Sequence, residues 1–336
     1  MYVGLDVHSR SSFCVVMNRA GEVVAQAKLE NNMLAFTDFF SRFSPPMEVA
    51  VEATTDAYYI ADMLYKLGLT TRLAHPRRLR LIAESSSKTD RHDAFILADL
   101  LRMGRLPEAY LPSAETMELR EVSRGRQSLV RERTRFKNRV SALLRRQGCS
   151  CPVKDKFTKK GREWIAELEL PRSIRMVLNT QLTVIDVLNA EIRKLDNELR
   201  KFARHDERIQ RLMRIPGIGV VFAAMIVAEI GTISRFPSKI GFVAYCGLAP
   251  IVRQSGEKTR RGSLRHDCNH WLRYAFVEAA HSCARTKGAY ARYYSDKAQE
   301  RDSSVAAAAT GRRLSRLVFA MLWSGQEYQP DRSRAA

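Results

Sequence analysis

Lys88-Thr89-Asp90-Arg91-His92-Asp93-Ala94 sets two carboxylates three residues apart at the head of an apolar run. That run (Ala94, Phe95, Ile96, Leu97, Ala98, Leu100, Leu101) meets no Gly or Pro before Gly104 and predicts a buried helix. Residues i and i+3 share a helix face, so Asp90 and Asp93 are expected to project together from one rigid support. Neighbouring carboxylates repel each other, and a hard divalent cation such as Mg²⁺ relieves the repulsion. An acidic first turn that complements the helix dipole is the plainer reading. Both stand for the heptapeptide alone, and the flanking sequence has to decide.

Upstream, Tyr2-Val3-Gly4-Leu5-Asp6-Val7 predicts a short strand with an aspartate near its end. Residues 12–17 and 22–29 predict two more strands, separated by the turn Asn18-Arg19-Ala20-Gly21. A helix over 33–43, a strand over 47–53, a helix over 57–67 and a strand over 70–74 follow, and then the helix carrying Asp90 and Asp93. A three-strand meander followed by alternating strand and helix makes a mixed α/β sheet with helices packed on its faces.

This order resembles the ribonuclease H-like (RuvC-like) fold shared by Holliday-junction resolvases and many transposases. The resemblance implies acidic residues on the first strand, at the end of the fourth strand and on the last helix, which here are Asp6, Glu52, Asp90 and Asp93. It implies that these four are catalytic and bind Mg²⁺, with two ions as the expected number. Two such ions roughly 3.5–4 Å apart activate a nucleophile and stabilise the leaving oxygen at a phosphodiester. A narrower resemblance rests on Gly4-Leu5-Asp6-Val7-His8, Val51-Glu52-Ala53-Thr54, His75-Pro76 and the opening heptapeptide. These look like the successive motifs of the DEDD-type insertion-sequence transposases, recombinases that move their element through a circular intermediate. Thr55-Asp56 departs from that pattern, since relatives tend to carry glycines there.

Composition points to the same class of partner. Lys and Arg number 56 against 36 Asp and Glu, a formal net charge of +20 over 336 residues, which is foreign to most metabolic enzymes and natural for a nucleic-acid-binding protein. The six cysteines are scattered without a CxxC pair, so zinc is not expected and reduced thiols in the cytoplasm are. His266-Asp267-Cys268-Asn269-His270 matches no common metal spacing and is expected to be structural. The longest apolar run, 220–230, is interrupted by Glu229 and too short to span a bilayer, so no membrane association is expected.

From Ser113, a residue able to cap a helix, Leu119, Val122, Leu129, Phe136, Val140 and Leu143 mark one long amphipathic helix. Between Arg120 and Arg146 it carries ten basic and two acidic residues, and a polyanion along it would relieve the self-repulsion. Arg126, Arg133, Lys137 and Arg139 are the candidate contacts. Over 172–202, Leu178, Ile185, Ile192 and Leu199 recur every seven residues, with Leu188, Leu195 and Phe202 on the companion seam, which predicts a coiled coil. Its partner is either the first helix or another subunit; recombination generally needs several protomers, so a homo-oligomer is expected. The basic stretch 147–171 reads as an irregular connection.

Ile215-Pro216-Gly217-Ile218-Gly219 between two helices resembles a helix-hairpin-helix, in which Gly217 and Gly219 let backbone N–H groups approach a phosphate. The same glycines also permit close helix packing. Further on, Ser255-Gly256 is flanked by Arg253, Lys258, Arg260 and Arg261, a basic loop suited to holding a phosphate. Gly247-Leu248-Ala249-Pro250, Ser255-Gly256, Arg261-Gly262, Asn269 and Leu272-Arg273 look like the C-terminal domain of the same transposase family. That resemblance implies that Ser255 is the nucleophile that becomes covalently linked to DNA. Arg265 to Asn269 departs from the Lys-Ala-Gly-Asn of many relatives. Tyr290, Tyr293 and Tyr294, the obvious rival nucleophiles, read as helix core.

The expected organisation is thus a ribonuclease H-like catalytic domain over 1–112, a basic coiled-coil region over 113–206 and a mainly helical transposase domain over 207–336. The family resemblance further implies double-stranded donor and target DNA and a structured guide RNA encoded by the element. Two rivals use the same residues differently. A resolvase-like metal nuclease would cut with water and form no covalent link, and a noncatalytic nucleic-acid-binding relic would not need the carboxylates.

Overall fold

A computed structural model describes residues 1–82, 89–255 and 258–329; for 80, 82, 252–255 and 258–261 only the backbone is described. Two compact units emerge, Met1–Pro112 and Ser113–Ala336.

The first unit is built on a six-stranded mixed sheet. Its elements are β1 (Tyr2–Val7), β2 (Ser11–Met17), β3 (Val23–Glu30), α1 (Met33–Phe40), β4 (Glu48–Glu52), α2 (Ala57–Lys66), β5 (Thr70–Ala74), α3 (Pro76–Ile82), α4 (Asp90–Arg102) and β6 (Glu108–Ala109). The strand order is β3-β2-β1-β4-β5-β6, with β1, β4 and β5 parallel and the other three pairings antiparallel. Parallel β1 and β4 bring their C-terminal ends to one edge. Pairing runs to Leu5 opposite Val51, so Asp6 and Glu52 are the next residue on each strand.

α4 lies against the sheet because the residues between them are small. Ala94 and Ala98 are fully buried, and a Cβ on Gly4 would lie 1.9 Å from the Ala94 carbonyl oxygen and 2.6 Å from the Ala98 nitrogen. Both obstacles are helix backbone, which cannot move aside as a flexible side chain would. Gly4→Ala is therefore expected to destabilise this unit by about 3 kcal/mol, read as a lower urea midpoint. An unchanged midpoint would mean that α4 does not rest on β1.

The second unit is mainly helical. It comprises α5 (Ala114–Arg146), α6 (Lys159–Glu167), α7 (Arg172–His205), α8 (Glu207–Met213), α9 (Val220–Ile230), α10 (Lys239–Tyr245), the hairpin β7 (Pro250–Ser255) and β8 (Lys258–Leu264), α11 (His270–Cys283), α12 (Ala289–Glu300) and α13 (Ser303–Ser324). α5 and α7 pack antiparallel within the chain, since Arg126 meets Asp196 and Arg133 meets Asn189. The heptad residues Leu178, Ile185, Ile192 and Leu199 are all buried. The remaining helices enclose a core around α9, whose residues from Ala223 to Ile230 are all buried.

Two segments read as irregular are ordered differently. The 147–171 connection holds α6, capped by Thr158 and tied down by buried Ile165, which packs in one cluster with Leu178 and Ile185 of α7. The basic loop around Ser255 is a β-hairpin, because cross-strand backbone pairing of 250–255 with 258–264 supplies the order that its charge pattern hides. No helix among the described residues is long and apolar enough to cross a membrane.

Candidate functional site

Thr89 ends extended, and its Oγ1 accepts a hydrogen bond from the His92 N–H, starting α4 at Asp90. Asp90 and Asp93 therefore stand in the first turn. Lys88 lies outside the described residues. With α4 seated on β1, Asp90 comes beside the strand end: His8 Nε2 is 3.3 Å from Asp6 Oδ2 and 3.2 Å from Asp90 Oδ2. Asp6, His8 and Asp90 each offer a ligand atom, and these lie within 4.8 Å of one another.

The electrostatics of Asp6 report the wider group. Burial raises its carboxyl above the usual range; His8 pulls it down, and Asp93, Asp90 and Glu52 push it up further. Asp6 thus feels the other three acids, but only Asp90 joins it and His8 in the close cluster; Glu52 and Asp93 stand outside that cluster. Oxygen donors that repel one another suit a hard divalent cation, and the partly buried Asp6 with the exposed Asp90 beside it has that chemistry. Among the described residues it is also the one place where three metal-ligating side chains converge so closely. Cys268 Sγ and His270 Nδ1, 3.8 Å apart, have no such third member, and all six cysteines are free.

His8 was not among the residues expected to act here. The available signal was its spacing: two residues beyond Asp6, it continues the alternation that puts i and i+2 on one face of a strand.

In the second unit, Ser255 is the last residue of β7 and pairs in register with Lys258. Gly256 lies outside the described residues, as do the side chains of Ser255, Arg253, Lys258, Arg260 and Arg261. Register nevertheless sets Arg253 directly opposite Arg260. The base of the hairpin is well fixed: the Arg265 N–H donates to the Ala249 carbonyl at 3.3 Å, and Arg273 Nη2 donates to the Arg265 carbonyl. Gly247, at φ 68°, leaves no room for a Cβ beside the Arg273 guanidinium and Cys268 Sγ.

The other candidate nucleic-acid contacts have partners inside the chain. Arg126 Nε is 2.7 Å from Asp196 Oδ1, and Arg133 Nη1 donates to Asn189 Oδ1 at 3.0 Å. Lys137 Nζ lies 4.7 Å from the Phe157 ring centre and Arg139 Cζ 4.8 Å from that of Phe136. Gly217, at φ 90°, would press a Cβ to 2.5 Å from Cys283 Sγ, so close packing requires it, whereas Gly219 at the N-cap of α9 faces open space. Tyr290 is buried, which pushes its hydroxyl up to about 12, and Tyr294 shares its hydroxyl with His281 Nδ1 at 3.0 Å.

Known families match both units. A family model of the DEDD type described as "Transposase" matches residues 3–147, and one described as "Transposase IS116/IS110/IS902 family" matches residues 209–295. The chain is 28% identical to a probable family 20 transposase of Pseudomonas aeruginosa, over 98% of each chain. It is 25% identical to the transposase for insertion sequence element IS1328 of Yersinia enterocolitica, over 96% of this chain and 97% of that one. It is also 25% identical to the transposase for insertion sequence element IS1111A of Coxiella burnetii, over 70% of this chain and 66% of that one. With both family models matched in order and relatives aligned nearly end to end, the chain belongs to the IS110 family of insertion-sequence transposases, enzymes that recombine DNA.

Proposed function

We propose that this transposase cuts and rejoins double-stranded donor and target DNA through a phosphoserine intermediate on Ser255. Asp6, Glu52, Asp90 and Asp93 would hold Mg²⁺, in two ions, in a ribonuclease H-like domain over 1–112. The observation that carries this reading is the approach of the Asp6 and Asp90 carboxylates to one nitrogen, 3.3 and 3.2 Å away, with Asp93 and Glu52 adding repulsion. When bound, the ions would neutralise charge on the phosphodiester undergoing attack.

The chain's own residues have distinct tasks in this scheme. Asp6 and Glu52 at the ends of neighbouring strands and Asp90 and Asp93 in the first turn of α4 would offer their oxygens to the metal, with the Gly4 contact seating α4 on β1. At the hairpin, the bond from Ser255 Oγ to phosphorus forms as the phosphorus bond to the departing sugar oxygen breaks. The serine proton leaves to a base and the sugar oxygen takes one up, so nothing is oxidised and no water is consumed. Reversal by a new sugar hydroxyl rejoins the strand without a nucleoside triphosphate. Arg253 opposite Arg260 favours an anionic ligand, because like charges facing across a hairpin are unfavourable alone.

The region 113–206 would serve as a basic coiled coil and 207–336 as the transposase domain, with the glycines before α9 forming a helix-hairpin-helix-like contact to phosphate. A net charge of +20 supports an element-encoded structured RNA as a further partner, its pairing reading sequence while the protein grips backbone. The enzyme would act as a homo-oligomer in the cytoplasm.

The test is to purify the full chain from cells carrying its gene with native flanking DNA. RNA that comes with it is sequenced, and DNA that stays attached after denaturation is measured. One discrete RNA from the flanks and a covalent adduct are expected. Random cellular RNA would overturn the guide, and nicked DNA without an adduct would favour a water-using nuclease.

A further inference from the structure

We infer that Glu229 is a positioning residue that sets the Ser255 hairpin against the basic helix α5, an inference that rests on Ser255 being the nucleophile. α9 is otherwise apolar, yet its penultimate residue is a glutamate only 1% exposed. A buried carboxylate is costly unless it is paired and hydrogen-bonded. Glu229 is: Arg124 grips it with both arms, Nε to Oε1 at 2.7 Å and Nη2 to Oε2 at 2.9 Å, and Arg120 Nε stands 3.9 Å away. Both arginines come from α5.

The remaining partner is Asn269, whose Nδ2 donates to Glu229 Oε2 at 2.7 Å. The other end of that amide cannot exchange places with it. Asn269 Oδ1 caps α11, accepting the Trp271 and Leu272 N–H groups, each at 3.0 Å, so the NH₂ must face the carboxylate. Asn269 is also where the excursion that carries Ser255 closes. Its N–H donates to the Tyr245 carbonyl at 2.8 Å, and Tyr245 ends α10 on the other leg. Everything between these residues is the approach, the hairpin and the return.

Glu229 thus joins three elements: the basic helix α5, the cap of α11 and the root of the hairpin. A buried ion pair is often no more stabilising than apolar residues of the same volume, so stability alone is a poor account of it. What the pair adds is a fixed angle between a polyanion-binding helix and a hydroxyl that must meet phosphorus in line. Misplacing a reacting group by about 1 Å costs up to about a hundredfold in rate.

The test uses the full chain produced in cells with the element's native flanks, measuring the rate of covalent adduct formation, DNA retention and thermal unfolding. Asn269→Ser keeps an N-cap acceptor for α11 and removes the amide that donates to Glu229 and, at 3.4 Å, to the Tyr245 hydroxyl; Glu229→Gln keeps shape and removes the charge. Each is expected to slow adduct formation about tenfold to a hundredfold while DNA retention holds. The double variant Glu229→Gln with Asn269→Asp moves the carboxylate across the same contact and is expected to restore adduct formation. Rates unchanged in both single variants, or a loss that follows the folded fraction with no recovery in the double variant, would overturn the inference. Ser255→Ala is run alongside: if it still forms the adduct, the nucleophile reading fails and this inference with it. If it forms none while the single variants react normally, this inference alone fails.

Discussion

Asp6→Asn is expected to reduce strand cleavage by about a thousandfold or more while making the metal-free protein more resistant to heat. The two effects share one cause. The Asp6 carboxyl is pushed above its ordinary value of 3.8 by burial and, against the pull of His8, by Asp93, Asp90 and Glu52. A carboxyl raised on folding binds its proton more readily in the folded chain than in the unfolded one. Stability therefore falls as pH rises from the unfolded value through the raised folded one, and the whole penalty persists above that window. At neutral pH the native protein carries it, and an uncharged asparagine does not. A divalent cation relieves the same penalty by binding only the folded form, and at a hundred times its dissociation constant it adds about 2.7 kcal/mol.

Melting curves in chelator and in Mg²⁺ check both halves. Native protein should melt lower in chelator than Asp6→Asn, and Mg²⁺ should raise the native protein far more than the variant. If Mg²⁺ raises both equally, Asp6 is no ligand. If cleavage survives in Asp6→Asn, the carboxylate chemistry is lost.

What could be read in advance follows from where the determining forces lie. β1 to β5 announce themselves by apolar alternation and turn residues, and the start of α4 by Thr89 ahead of two acids. β6 is two residues long and exists only through its pairing with Leu73 and Ala74, a tertiary fact. α3 follows its strand directly, so His75-Pro76 reads as a motif when Pro76 is also the first helical residue. The β7–β8 hairpin is concealed because its arginines and lysines do not alternate with apolar residues. In the site, aspartates at strand and helix ends stand out, whereas His8 gains meaning only once Gly4 lets α4 bring Asp90 within 3.2 Å of it. Glu229, legible as an interruption of an apolar run, shows its partners only in three dimensions, 105 residues from Arg124 and 40 from Asn269.

Ser255→Ala is expected to abolish the covalent adduct and lower strand transfer by about a thousandfold or more, with the response of melting temperature to Mg²⁺ unchanged. Ser255 closes β7, in register with Lys258 and two residues from the Arg253–Arg260 pair, so on the proposed reading a phosphate drawn to these cations would arrive at the serine. Removing one hydroxyl oxygen alters neither the backbone pairing nor the charge that attracts DNA, so DNA retention should persist. The decisive contrast is with hydrolysis. If water were the nucleophile, Ser255→Ala would still cut and would leave nicks that cannot reseal, since the bond energy has gone to water. If serine is the nucleophile, the variant should leave DNA bound and uncut. An Asp6→Asn protein should likewise form no adduct, and it should differ from Ser255→Ala in its diminished Mg²⁺ response. Bound, uncut DNA with a normal Mg²⁺ response therefore assigns the covalent step to Ser255. Cut DNA without an adduct assigns the chemistry to the four carboxylates and water alone.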